Sequence, residues 1–184
     1  LYDALMHRYV VEDLKVLLRL FKQDAEHPEQ VSLIHLPPVH ALPATQLAES
    51  ASLEQFIDRI PVHAIRQSVL AALPLYRETG RKAFLEMAMD RGAWQEVGKA
   101  LEELDAADRV EVERPVLCEF DAIRLTAAMR ASKAYKLPWE QFGPFMPTGW
   151  GLIRTDTMRR LLEETRGEDV LGALSIIAPR ARQA

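Results

Sequence analysis

One amphipathic helix pattern is written twice in this chain, and the second copy follows the first at a nearly fixed distance. "RYVVEDLKVLLR" (8–19) and "CEFDAIRLTAAMR" (118–130) both read as helices that end on arginine. Val11, Leu14 and Leu18 form a stripe at i, i+3 and i+7, and Ala122, Leu125 and Met129 repeat it. Arg19 and Arg130 stand 111 positions apart, as do Leu14 and Leu125. The loops that follow also correspond: "LPPVHAL" (36–42) and "MPTGWGL" (146–152) are offset by 110. Each loop leads into two short helical stretches that close on Pro61 and Pro179, an offset of 118. The ordered series predicts an internal duplication, with a first helical repeat over 1–79 and a second over 80–184. The chain opens on Leu1 already inside a helical pattern, so the first repeat reads as N-terminally incomplete and the chain as a piece of a longer one. Repeats of this kind cover one another's apolar faces and build a concave helical array.

Helical periodicity dominates the rest of the chain, and the fold class expected is all-α. The first helix spans 2–22. Thr45 is expected to cap a short helix that runs toward Ser50. Ser52 and Gln55 form a capping box into "LEQFIDRIP", which Pro61 ends. Residues 62–78 read as a helix interrupted near Pro74, and 80–107 as the longest helix. Residues 109–117 read as at most a short extended stretch, because Pro115 is foreign to a central strand. A helix over 118–134, a Pro/Gly loop, and short helices over 155–165 and 168–177 complete the chain.

Composition excludes several functions. Lysine and arginine number 23 against 27 acids, a net charge of −4, so no global field draws nucleic acid or an anionic membrane. No apolar run reaches the ~20 residues that span a bilayer, and no signal-peptide pattern is visible. The single cysteine, Cys118, excludes an internal disulfide framework and fits a reducing compartment; at an apolar helix start it is expected to be buried and inert. "GAWQEVGKA" (92–100) superficially resembles a phosphate loop. It has one residue too many between its glycines, lacks the Ser or Thr that binds magnesium, and sits within a helix, so it reads as helix packing. His35 and His40 flank a Pro loop without further ligands at metal spacing. They read as surface or loop histidines, and neither a metal nor a cofactor is expected.

The acid pair Glu119 and Asp121 carries the sharpest chemical question. Asp121 lies on the edge of the apolar stripe, where an unpaired carboxylate costs several kcal/mol. Its relief is expected from Arg124 at i+3, a neighbouring helix, or a backbone N–H. No histidine or nucleophile is spaced to help, so the pair reads as a structural hydrogen-bonding cluster rather than an acid/base couple. The arginines at 159, 160, 166, 180 and 182 read as a solvated face or a rim for an acidic partner or lipid head groups.

These residues resemble the family of the C-type (or d-type) subunits of V-type and A-type rotary ATPases. Each repeat of that family carries a helix like E-x-D-x-x-N-L-x-x-x-L/M-R, a downstream loop like L-x-P-x-G-x-L, and an upstream segment like A-L-D-x-x-Y-Y. Here Glu119, Asp121, Leu125, Met129, Arg130, "MPTGWGL" and "AMDRGAW" take those places in the second copy; Leu14, Lys15, Leu17, Leu18 and Arg19 fit in the first. Arg124 stands where the family prefers Asn, and Arg8, Val10 and Asp13 replace Glu, Asp and Asn in the first copy. The family has three repeats, and two fit here. The resemblance implies a funnel-like, all-helical, non-catalytic subunit, peripheral on the cytoplasmic face of a membrane. Its implied partners are the central-stalk subunits and the membrane rotor ring. Lys15 and Arg19 would organise the first copy and Glu119, Asp121 and Arg130 the second, while the loops holding Pro37 and Trp150 contact partners. The residues alone also leave open a helical adaptor outside any ATPase, or a helical enzyme.

Overall fold

A computed structural model describes residues 1–21, 33–34, 36–147 and 150–164. Among these the protein is all-α and contains no strand. Eight α-helices run in order: α1 Tyr2–Leu20, α2 Ala44–Ala48, α3 Leu53–Asp58, α4 His63–Thr79, α5 Ala83–Glu102, α6 Ala106–Met129, α7 Trp139–Phe142 and α8 Thr155–Glu164. The expected helix over 168–177 lies outside the described residues, as do His35, Arg166, Arg180 and Arg182.

The chain divides into two compact units, Leu1–Glu103 and Leu104–Ala184. The repeat boundary read from the sequence falls at 79/80. A packing boundary and a repeat boundary are different quantities, and α5 packs inside the first unit.

The first unit is built on α4, α5 and α1. Gly80 ends α4 in the left-handed region at φ 69°, donating its N–H to Tyr76 O at 2.7 Å, and this permits the short turn into α5. Farther along, Gly92 lets α5 touch the backbone of α4. A Cβ there would stand 2.5 Å from Ile65 Cα and 2.7 Å from Ala64 O. The apolar stripe of α1 (Val10, Leu14, Leu17, Leu18) is buried, and Phe21 meets Phe56 of α3 with ring centroids 5.7 Å apart. Leu47, Ile57, Ile65, Val69, Phe84, Leu85 and Met89 complete this core.

In the second unit, one face of α6 buries Val116, Phe120, Leu125 and Ala128, together with Leu137, Phe142, Met146, Ile153, Met158 and Leu162. A π-helical turn, Arg130–Ala134, extends α6. Trp139 packs edge-on to Phe142 at 5.1 Å.

Several local expectations are corrected. Residues 109–117 are not extended: α6 begins at Ala106, twelve residues before the expected start. Asp105 caps it, accepting from the N–H groups of Ala107 (3.0 Å) and Asp108 (2.9 Å), and Arg109 pairs with Glu113 at i+4. Pro115 and Glu111 are both exposed, on the side of a helix where water can replace the donor that a proline lacks. Pro74 does not interrupt α4, for the same reason; Pro74 and Leu70 are both exposed. Pro43, not Thr45, stands at the N-cap of α2, and no side chain bonds there. The Ser52 cap is present: Ser52 Oγ accepts from Gln55 N–H at 3.1 Å, while Gln55 Oε1 reaches back to Ala51 N–H at 2.6 Å. Cys118 is exposed, because it falls between the stripe positions that α6 buries. His40 is a loop histidine, as expected, and is buried there in a short 3-10 turn, Pro38–His40.

The α4–α5 approach generates a test. Gly92→Ala adds about 1 kcal/mol of helix propensity but forces overlap with the α4 backbone, which costs about 1–3 kcal/mol. Net destabilisation is expected in urea unfolding, and an unchanged or raised midpoint contradicts the close approach.

Candidate functional site

The buried charges cluster where each long helix meets the loop that follows it. In the second unit the centre is Arg124, only 1% exposed. Its Nη1 donates to Asp121 Oδ1 at 2.9 Å, to Ile153 O at 3.0 Å and to Trp150 O at 3.3 Å; its Nη2 donates to Thr155 Oγ1 at 3.1 Å. The guanidinium also lies over the Phe120 ring, 5.0 Å from its centroid. Asp121 Oδ2 accepts from Ile153 N–H at 2.7 Å. One acid and one base on α6 thus bind both donors and acceptors of the 150–155 loop. Gly151 makes this possible. Its φ is +114°, and a Cβ would collide with Asp121 Oδ1 and lie 2.7 Å from Arg124 Nη1.

Burial raises the Asp121 carboxyl above its ordinary range, against the opposing pull of the Ile153 N–H and Arg124. Burial likewise lowers Arg124, against Asp121. Desolvation therefore outweighs attraction for both members, and the pair serves to fix the loop rather than to store binding energy.

The first unit has polar clusters of its own. Asp13 is buried on α1, and its Oδ1 accepts from Ile34 N–H at 2.8 Å. It lines a cavity of about 160 Å³ with Leu33, Ile34, Leu36, Ala41 and Leu42. Burial raises its carboxyl, against the Ile34 N–H. Asp13 and Arg124 are 111 positions apart, the spacing of the repeat expected from the sequence. Asp13 holds its loop with an acceptor, and Arg124 holds its loop chiefly with donors.

Beside Asp13, α1 is joined to α5 by an antiparallel ladder of ion pairs. Lys15 Nζ lies 2.6 Å from Asp90 Oδ1 and 2.8 Å from Glu12 Oε1. Four residues on along α1 and four back along α5, Arg19 grips Glu86 with two bonds of 2.8 Å. Lys82 then closes the end of α1, donating to the carbonyls of Leu18 (2.9 Å), Phe21 (3.1 Å) and Arg19 (3.3 Å). Burial pulls the Lys15 ammonium down, but Asp90 and Glu12 more than offset it and leave it raised. Asp90 is pushed up to about 6 by burial, with Glu12 and Glu86 adding to the effect of burial and Lys15 opposing it.

Of the residues marked by the sequence, Lys15, Arg19 and Asp121 lie in these clusters. Trp150 is half-buried and supplies a backbone acceptor to Arg124. Pro37 precedes the 3-10 turn and accepts the His40 N–H at 2.8 Å. Glu119 and Arg130 are exposed on α6 and at the start of its π turn, away from the buried pair. The structure adds Asp13, Lys82, Glu86, Asp90 and Thr155, and it puts Arg124, expected as relief for Asp121, at the centre of the second unit's cluster. Lys15 within an apolar stripe was the sequence signal for a buried acid partner, but nothing in the sequence paired it with Asp90.

The family model of the ATP synthase (C/AC39) subunit matches residues 1–179. The chain belongs to that family. No curated protein and no solved structure matches it. The family is one of structural subunits of V/A-type ATPases. Among the described residues no helix is long and apolar enough to cross a membrane.

Two outcomes follow from the clusters. Arg124→Ala strands a buried carboxylate and is expected to cost about 3–5 kcal/mol, with Asp121→Asn costing less. A double-mutant cycle in urea checks this, and additivity of the two contradicts the pair. Asp90 binds its proton more tightly folded than unfolded. Its contribution to stability is full below 3.8 and lost as pH rises through about 6. The thermal midpoint of the wild type relative to Asp90→Asn should therefore rise as pH falls from 7 to 4; parallel curves contradict the assignment.

Proposed function

We propose that the protein couples the central stalk of a V/A-type rotary ATPase to its membrane rotor ring and takes part in ATP-linked ion transport without catalysing a reaction itself. The observation that carries this reading is the match to the ATP synthase (C/AC39) subunit family over residues 1–179. Physically, a coupling piece needs resistance to shear more than reactive groups. The ladder joining α1 to α5 and the clamp joining α6 to its loop supply direction-specific bonds that packed apolar helices alone do not.

In this reading the chain is a duplicated helical unit, with repeats over 1–79 and 80–184 arranged as a concave array. In support, a long helix in each copy holds the downstream loop through a buried aspartate that accepts a backbone N–H. The loops holding Pro37 and Trp150 face partners. Lys15 and Arg19 stiffen the first copy, while Glu119, Asp121 and Arg130 organise the second. The protein works as a peripheral component on the cytoplasmic face of the membrane and takes no cofactor.

The test is purification of the affinity-tagged full chain from detergent-solubilised membranes. Central-stalk and ring subunits are expected to co-purify. Trp150→Ala, which keeps the carbonyl that Arg124 needs, is expected to reduce their yield while the circular-dichroism spectrum stays that of the parent. A folded chain that brings down neither of them refutes the coupling role and leaves a helical adaptor.

A further inference from the structure

The loop at 36–42 is held on α1 by a second contact, remote from Asp13 and different in chemistry. His40, at the end of the 3-10 turn Pro38–His40, is buried. Its ring stands edge-on to Tyr2 (centroids 6.1 Å apart) and to His7 (6.0 Å apart), both on α1. His40 Nε2 is 3.2 Å from Asp3 Oδ1 but not aligned for a hydrogen bond, and His7 Nδ1 is buried without a partner. Val39, immediately before His40, is 82% exposed at the loop tip. The two imidazoles thus form the contact beneath an apolar tip that faces solvent.

We propose that the contact of His7 with His40 forms an acid-sensitive latch, which holds the 36–42 loop on α1 while the His7 ring is neutral and releases it when that ring is protonated. Neutral rings pack edge to face, and a buried ring nitrogen without a partner is tolerated at modest cost. An imidazolium at His7 needs hydration that the packed site does not provide, since its buried Nδ1 has no acceptor.

The surrounding charges decide the direction. His7 faces Glu96 of α5, His40 of the loop and Asp3 of α1, with the Arg8 guanidinium next to it in sequence and engaged with Tyr9. Glu96 and Asp3 favour the charged ring, while burial and His40 oppose it. Burial dominates and holds His7 below its ordinary 6.5. Because the released loop binds the proton more readily than the latched one, the hold is complete above pH 6.5 and weakens as pH falls through His7's lowered value.

The latch rests on geometry within the first unit alone and does not depend on the coupling role. The experiment is an NMR titration of the uniformly labelled full chain from about pH 7.5 to about pH 5, the range in which imidazoles titrate. The signals of Val39, His40 and Ala41 are expected to move toward unstructured positions with the same midpoint as the His7 ring. Signals from α4 and α5 keep their folded positions. In His7→Gln/His40→Gln the loop signals should lose this transition. Loop signals that stay folded while the His7 ring titrates overturn the latch, as does an unchanged transition in the double variant. If that variant fails to fold, the wild-type titration still decides, because a loop midpoint that differs from the His7 midpoint is equally fatal.

Discussion

A buried guanidinium has to be surrounded by acceptors, and in this protein that requirement organises the second unit. Arg124 has Asp121 one turn before it on α6 and takes its remaining partners from Trp150, Ile153 and Thr155. The 150–155 loop is fixed because removing it would strand a charge in a low-dielectric site. Gly151, the start of α8 at Thr155 and the burial of Ile153 all follow from that placement. The net energy of the pair is modest, since desolvation works against both members; its effect is to make one loop conformation far better than any other.

The first unit solves a similar problem with more, weaker pieces. Leucine stripes bring α1 onto α5, and Gly92 brings α5 onto α4, but apolar packing alone tolerates sliding along the helix axis. Lys15 with Asp90 and Arg19 with Glu86 set the register, since their four-residue steps run in opposite directions along the two helices. Lys82 ties the last carbonyls of α1 to the start of α5.

Asp13 and Arg124 hold their loops in opposite ways, the one as an acceptor and the other chiefly as a donor. Each brings the burden of a buried charge. Arg124 offsets it with Asp121, whereas Asp13 accepts the Ile34 N–H and keeps a raised carboxyl. The loop above α1 is consequently held by a backbone bond and a pair of histidines, and the loop above α6 by a network.

The sequence by itself determined the helical class, the positions of α1, α5 and α8 to within a few residues, the Ser52 cap and the family resemblance. These depend on local periodicity and capping chemistry, which residue order records directly. It also announced that Asp121 needed relief and supplied Arg124 at i+3 as one candidate. Only the tertiary structure decided the rest. Pro74 and Pro115 read as breaks because a proline removes a backbone bond wherever it stands; whether that bond is missed depends on whether the freed carbonyl faces water. Cys118 is exposed and the loop residue His40 is buried because burial is set by what packs against a residue, not by its neighbours in sequence. Asp90 could not be paired with Lys15 from residue order, since 75 positions separate them and only the approach of α1 to α5 brings one carboxylate within 2.6 Å.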